Sequence, residues 1–256
     1  MSMLSGYRRR LSAPRLKAAC APATFRTVGT GLQFKIAGVD AEATAEGALW
    51  IESARTLVVS DLHFEKGSSF AVRGQMLPPY DTRATLQRLT LLFARLRPDT
   101  VISLGDSFHD RDGPGRMDAG DVATLRAMTA AADWVWIEGN HDPEAPTWLG
   151  GRAMERIAFG DLVLRHEPKA GDARGEIAGH LHPCAKVSAR GRALRARCFA
   201  TDGERLVMPA FGAYTGGLNV RDAAFDPLFP QGCVALMLGR TRVYAAPSSR
   251  QTPDGA

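Results

Sequence analysis

Histidine is confined in this chain to five short segments. His63, His109, His141, His166, His180 and His182 are its six histidines. They stand in Asp61-Leu62-His63, Gly105-Asp106-Ser107-Phe108-His109-Asp110, Gly139-Asn140-His141-Asp142, Arg165-His166-Glu167-Pro168 and Gly179-His180-Leu181-His182. Imidazole nitrogens suit zinc, manganese or iron, while the carboxylate and amide oxygens beside them suit harder divalent ions. The mixed set is larger than one tetrahedral ion can use, so two divalent ions sharing a ligand is the natural count. The chemistry anticipated is that of one composite site with two metals.

Such a site needs elements that bring the five segments together. Short apolar runs lead directly into them: 56–60 into Asp61, 100–104 into Gly105-Asp106, 134–137 into Gly139-Asn140, 162–164 into His166 and 176–178 into Gly179-His180. Runs of this length predict buried strands, and open α/β sheets place ligands beyond the carboxyl ends of their strands. Asp81 is expected to cap a helix reaching about Leu96, with Leu86, Leu89, Phe93 and Leu96 as its apolar stripe; residues 121–131 predict a second helix. Strands alternating with helices give the α/β class. After His182 the pattern becomes short β-like runs with turns, at 192–199, 205–208, 233–238 and 241–245, which would lay a second sheet against the first. Residues 32–38 and 48–51 predict an additional hairpin.

At 256 residues with 45% hydrophobic side chains, the chain supports one sizeable domain, expected at 31–248. The formal charge of +5 belongs to the start: residues 1–30 hold six basic residues, Arg8, Arg9, Arg10, Arg15, Lys17 and Arg26, and no acid. Setting those aside leaves the body near neutral, so the high pI does not itself argue for a nucleic-acid groove. Residues 1–30 lack the apolar stretch of a secretory signal and are expected to be a flexible basic leader; 249–256 are expected to be a loose tail. No run is long enough for a membrane span, and the four scattered cysteines suggest reduced thiols, so a cytoplasmic protein is expected.

In this order, each at the end of an expected strand, the five segments resemble the calcineurin-like metallophosphoesterase superfamily over roughly 55–215. The resemblance implies a metallophosphoesterase fold, a two-sheet β-sandwich flanked by α-helices (α/β/β/α). It also implies that Asp61, His63 and His182 bind one metal, that Asn140, His166 and His180 bind the other, and that Asp106 bridges both. His141 would stay unligated beside the substrate phosphate and donate a proton or hydrogen bond to the leaving group or a phosphoryl oxygen. The ions would activate a shared water, and the hydroxide so formed would attack the phosphodiester in line with its leaving oxygen.

Phosphatases of the superfamily carry Gly-Asp-x-x-Asp, whereas here the last position is His109. Gly-Asp-x-Phe-His resembles the nuclease branch, in which this histidine sits beside the scissile phosphodiester; a supporting role without substrate contact is the alternative for His109. Ser60 to Gly67, Leu77 to Thr82, Leu104 to Asp110 and Pro209-Ala210-Phe211-Gly212 resemble the bacterial ligase-associated DNA-damage-response endonucleases more closely. That likeness implies manganese, with zinc or iron as alternatives, and cleavage of single-stranded DNA. It further implies association with an ATP-dependent DNA ligase, a helicase and an exonuclease-like protein.

A local observation bears on substrate. Lys186, Arg190, Arg192, Arg195 and Arg197 follow the last histidine with no acid between 185 and 199, and Arg195 and Arg197 would share a strand face toward a polyanion. A solvated edge strand defended by charge is the competing reading. Arg111 and Arg116 are further candidates for phosphate contact. Against the nuclease stand a small-molecule or nucleotide phosphoesterase and a non-catalytic scaffold; the scaffold fits poorly, since every expected ligand is present.

Overall fold

The computed structural model describes residues 24–141, 144–189 and 191–255. Most of the expected leader, with Cys20, and also Asp142 and Arg190, lies outside them. Two large sheets carry the fold. The first runs in chain order through β1 (Arg26–Val28), β2 (Gly31–Ile36), β3 (Val39–Ala43), β4 (Leu49–Ile51), β5 (Thr56–Val59), β6 (Thr100–Leu104), β7 (Asp133–Ile137) and β8 (Arg152–Met154). Its first five strands pair antiparallel, and β5 to β8 pair parallel. The crossovers that parallel pairing demands are α2 (Asp81–Leu96) between β5 and β6, and α4 (Ala119–Ala131) between β6 and β7. Two short helices, α1 (Lys66–Val72) and α3 (Gly113–Arg116), lie in the loops after β5 and β6.

The second sheet holds β9 (Arg156–Phe159), β10 (Leu162–Arg165), β11 (Glu176–Ala178), β12 (Cys184–Ala189), β13 (Arg192–Thr201), β14 (Leu206–Val207), β15 (Val234–Leu238), β16 (Val243–Ala246) and β17 (Gln251–Thr252). Within it β10 and β11 are parallel. Phe34, Ile36, Val58, Ile102 and Val135 of the first sheet meet Leu162, Leu164, Ile177, Phe199 and Leu236 of the second in one buried cluster. Each such side chain contributes about 1.5–3 kcal/mol by leaving water. On the other face of the first sheet, Leu86, Leu89 and Leu92 of α2 and Leu125 and Met128 of α4 pack over Leu57, Val101, Trp134 and Trp136. The outer face of the second sheet is covered by Val220, Phe225, Leu228 and Phe229. These layers form the α/β metallophosphoesterase fold.

Several local expectations change. Asp81 sits inside the first turn of α2 and makes no capping bond, the cap position being Tyr80, whereas Asp118 does cap α4 by accepting from the Gly120 amide. The hairpin expected from 32–38 and 48–51 is a meander, with β3 between the two runs. Val39-Asp40-Ala41-Glu42-Ala43 is too acidic and small to announce a strand, yet Ala41 and Ala43 are buried. The first sheet starts at Arg26, within the stretch expected as leader. The tail expected to be loose at 249–256 is tied down instead: β17 pairs with β12, and the buried Gln251 amide donates to the Cys233 and Ala246 carbonyls. Cys184, Cys198 and Cys233 are buried free thiols. Among the described residues no helix is long and apolar enough to cross a membrane.

Candidate metal centre

All five histidine segments leave strands at their carboxyl ends. Asp61 and His63 follow β5, Asp106 and His109 follow β6, and Asn140 and His141 follow β7, three parallel neighbours of the first sheet. His166 follows β10, and His180 and His182 follow β11, the parallel pair of the second. The site therefore lies where both parallel sets end, across the seam of the sandwich.

The chain turns sharply at these ends. Asp61, His63, Asp106, His180 and His182 all have positive φ, between 44° and 68°, a region that side chains other than glycine seldom adopt. Each such residue costs on the order of 1–3 kcal/mol and persists only where its surroundings over-determine it. Here they do. The His63 and Phe64 amides donate to the Asp106 and Ser107 carbonyls, and the His109 amide donates back to Phe64. The Gly179 amide donates to His166, and the Phe211 and Gly212 amides to Ser60 and Asp61. Across the seam, the His180 amide donates to the Asp61 carboxylate at 3.1 Å.

Three donor groups result among the described residues, of which one, His63, His109 and His141, shares His63 with a neighbour and the other two hold the expected ligands. Of those two, Asp61, His63 and His182 form one and Asp106, His166 and His180 the other, with the ligand atoms of each within 4.8 Å of one another. In the first, His182 Nε2 lies 3.2 Å from Asp61 Oδ1 and 3.3 Å from His63 Nε2. In the second, His166 Nε2 lies 3.4 Å from Asp106 Oδ1, 3.3 Å from His180 Nδ1 and 2.9 Å from Asn140 Oδ1. Asp106 stands between them, its Oδ2 also facing His63 Nε2 at 3.9 Å. The Leu104 carbonyl can only accept, so His166 Nδ1 carries the proton that bonds it at 2.8 Å, leaving the Nε2 lone pair toward the site.

Electrostatics keep Asp61, His63 and His180 in the ligating form. Burial alone would raise the Asp61 carboxyl, but the hydrogen bond and charge of His182, with His166 and His63, hold it down to about 2. Burial lowers His63 to about 3, against the pull of Asp61. His180 is lowered by burial and by His166. Neutral imidazole and ionised carboxylate are what divalent metals require. His63 Nδ1 and His109 Nδ1 are buried without a hydrogen-bond partner, uncommon among buried polar atoms and in keeping with a site built for a further group. With hard and borderline donors divided between two adjoining groups, the residues fit two divalent ions.

Gly105 makes this closeness possible. Its φ is +74°, and a Cβ there would meet the His166 ring at 2.6 Å. Gly105→Ala is expected to displace His166 and lower metal affinity by about 10–100-fold, the usual effect of disturbing a ligand's support, measured by metal titration.

At the mouth, the His141 amide donates to Asp106 Oδ1 at 2.9 Å and its Nδ1 donates to the His109 carbonyl at 3.0 Å. The His141 side chain is 43% exposed, so a substrate can reach it, and its Nε2 faces Asp106 Oδ2 at 3.9 Å. His109 stacks on His141 with centroids 5.6 Å apart and 24° between planes. Burial, then the charges of Lys66 and His141, lower His109 to about 4.

The arginines diverge from expectation. Arg195 is held by Asp254, from the tail, and by the Gly217 carbonyl. Arg197 is half-buried and donates to the Ala210 and Gly212 carbonyls. The local stripe has no acid of its own, but β17 brings one, so these two guanidiniums are turned to the fold. Arg116 links Ser68 of α1 to Asp110, while Arg111 is exposed. Ser60 Oγ, donating to Asp61 Oδ2, is a supporting group that sequence reading passes over.

The sequence matches the calcineurin-like phosphoesterase family over residues 54–174. Among solved structures, a Pseudomonas putida nuclease, MPE, is 28% identical, covering 84% of this chain and 100% of its own, with a TM-score of 0.66. A phosphoesterase from E. coli, Yfce, is 15% identical over 75% of this chain and 98% of its own, with a TM-score of 0.39. No curated protein matches the chain.

Proposed function

We propose that this chain, which matches the calcineurin-like phosphoesterase family over residues 54–174, is a manganese-dependent endonuclease that cleaves single-stranded DNA during DNA repair. The observation that carries the reading is His109, which stands where phosphatases of the family have an aspartate and lies against His141 at the mouth of the metal centre. A nuclease of similar structure, 28% identical, supports it.

In this reading Asp61, His63 and His182 would hold one ion and Asn140, His166 and His180 the other, with Asp106 as the ligand they would share. Bound there, two divalent ions supply a water of lowered pKa and neutralise charge on the phosphoryl oxygens. The chain's own groups do the rest. The His109 carbonyl fixes the His141 ring through Nδ1, so His141 presents Nε2 to the departing oxygen as a proton donor. His109 steadies that ring and hydrogen-bonds the phosphodiester. Arg111, exposed beyond His109, meets the flanking backbone. The enzyme would act beside an ATP-dependent DNA ligase, a helicase and an exonuclease-like protein.

The test compares His109→Ala on single-stranded DNA and on an activated aryl phosphodiester, at matched salt because backbone contacts are salt-sensitive. An activated leaving group scarcely needs a proton donor, so it reports metal and nucleophile function alone. A loss on DNA at least about tenfold greater than on the aryl ester is expected. Equal losses with metal content unchanged would make His109 a general organiser of the site and remove its support for a nuclease. Failure of the wild-type protein to cut single-stranded DNA while it hydrolyses nucleotide esters would replace the reading with a small-molecule phosphoesterase.

A further inference from the structure

One face of α1 borders the site with groups that the phosphoester chemistry leaves unused. Lys66, Phe70 and Arg73, the last being the residue that closes the helix, are spaced four and three apart and so share a face. That face is turned to the metal centre: the Phe70 ring stacks on His109 with centroids 5.8 Å apart and 27° between planes. The charges of Lys66 and Arg73 both reach His109, in keeping with their place on the same side of the helix as Phe70.

Neither cation forms an ion pair with a described residue, unlike Arg116 nearby, which pairs with Asp110. Asp81 is the acid whose field reaches Lys66. Arg73 is exposed, Lys66 and Phe70 are half-buried, and the surface continues into Val72 and Met76, 75% and 86% exposed. Seven residues of helix separate the two cations by about 10 Å along the axis. A ligand touching both must therefore extend well beyond a single phosphodiester. Two cations about an aromatic ring, at the rim of a phosphoester site, match a backbone that carries repeated negative charge and bases able to stack.

We propose that the Lys66–Phe70–Arg73 face of α1 is the docking track for the strand beside the scissile phosphodiester, the two cations holding flanking phosphates and Phe70 supporting a base. The proposal rests on the nuclease reading and assigns it a binding surface. The track makes the enzyme prefer a polynucleotide over a small phosphodiester, and it weakens with salt.

The experiment uses the manganese-loaded full chain and its Lys66→Ala/Arg73→Ala variant. Binding of a labelled single-stranded oligodeoxynucleotide is followed by anisotropy before appreciable cleavage, across a salt series, and turnover is measured on that strand and on an aryl phosphodiester. The variant is expected to bind at least about tenfold more weakly, with the slope of log affinity against log salt reduced by about 0.7 for each lost phosphate contact. Its turnover on the strand should fall about tenfold further than on the aryl ester. The charge-keeping Lys66→Arg/Arg73→Lys variant should recover most of the salt slope. If wild type binds and cuts the strand while the alanine variant binds it with the same affinity and slope, the track is overturned and the nuclease reading survives. If wild type binds but never cuts, and the variant loses binding, the track stands and the nuclease reading falls. Absence of strand binding by wild type overturns both.

Discussion

Asp106→Ala is expected to lower turnover on every phosphoester by at least about 10³-fold, a change of about 4 kcal/mol in activation free energy. The size follows from where the carboxylate stands. Oδ1 faces His166 Nε2 and accepts the His141 amide, while Oδ2 faces His63 and His141, so this residue faces both donor groups and His141, the proposed proton donor, at once. No other described carboxylate faces both His63 and His166 Nε2 as closely: Asp61 lies 3.8 Å from the other nitrogen of His166, the one bonded to Leu104. Removing it takes a carboxylate from between two groups of imidazoles and leaves the His141 amide without its acceptor. Asp106→Asn separates the two losses, because the amide oxygen can still accept from His141 while the charge is gone. If charge and shared ligation are the dominant role, Asn should be nearly as inactive as Ala, and metal content measured on the purified variants should fall from two ions. Turnover above about a tenth of wild type in the alanine variant would end the two-metal assignment.

The part of this site that could be read in the sequence is the part that depends on local chemistry. Histidines next to Asp, Asn and Gly at the ends of apolar runs identify both the donors and the strands, because a buried parallel strand must be apolar and a ligand must sit where it ends. The structure brings Asp61, His63, Asp106, Asn140, His166, His180 and His182 together across two sheets whose pairing no single segment encodes. What stayed hidden depends on partners distant in sequence. Arg195 looked free because its acid, Asp254, lies in a tail without strand-like pattern, and Arg197 looked like a surface cation although its acceptors are the carbonyls of 210 and 212. The helix α1 went unseen because Lys66-Gly67-Ser68-Ser69 has poor helix propensity. Tertiary bonds override that weakness: Ser68 donates to Glu65, and the Glu65 amide and carboxylate both bond Thr82 of α2. The left-handed backbone at five of the seven donors likewise has no sequence signal, since Asp and His occupy positions where glycine would be expected.

His141→Ala is expected to keep both metals and yet lose on the order of 10²–10⁴-fold in turnover on DNA, the usual worth of a positioned proton donor. Retention of metal follows from geometry, because His141 approaches Asp106 chiefly through its backbone amide, which alanine preserves, and its ring is the most exposed of those around Asp106. The loss in rate follows from the same geometry: Nδ1 is committed to the His109 carbonyl, leaving Nε2 as the nitrogen free to serve an incoming phosphodiester. An activated aryl phosphodiester should recover much of that loss, since its leaving group departs without a proton. Fold stability should change by well under the cost of a core truncation, because a half-exposed ring is removed and no large cavity is left. Loss of metal together with activity would make His141 a ligand, and an equal deficit on DNA and on the aryl ester with both metals retained would assign it to stabilising the phosphoryl oxygens instead of the leaving one.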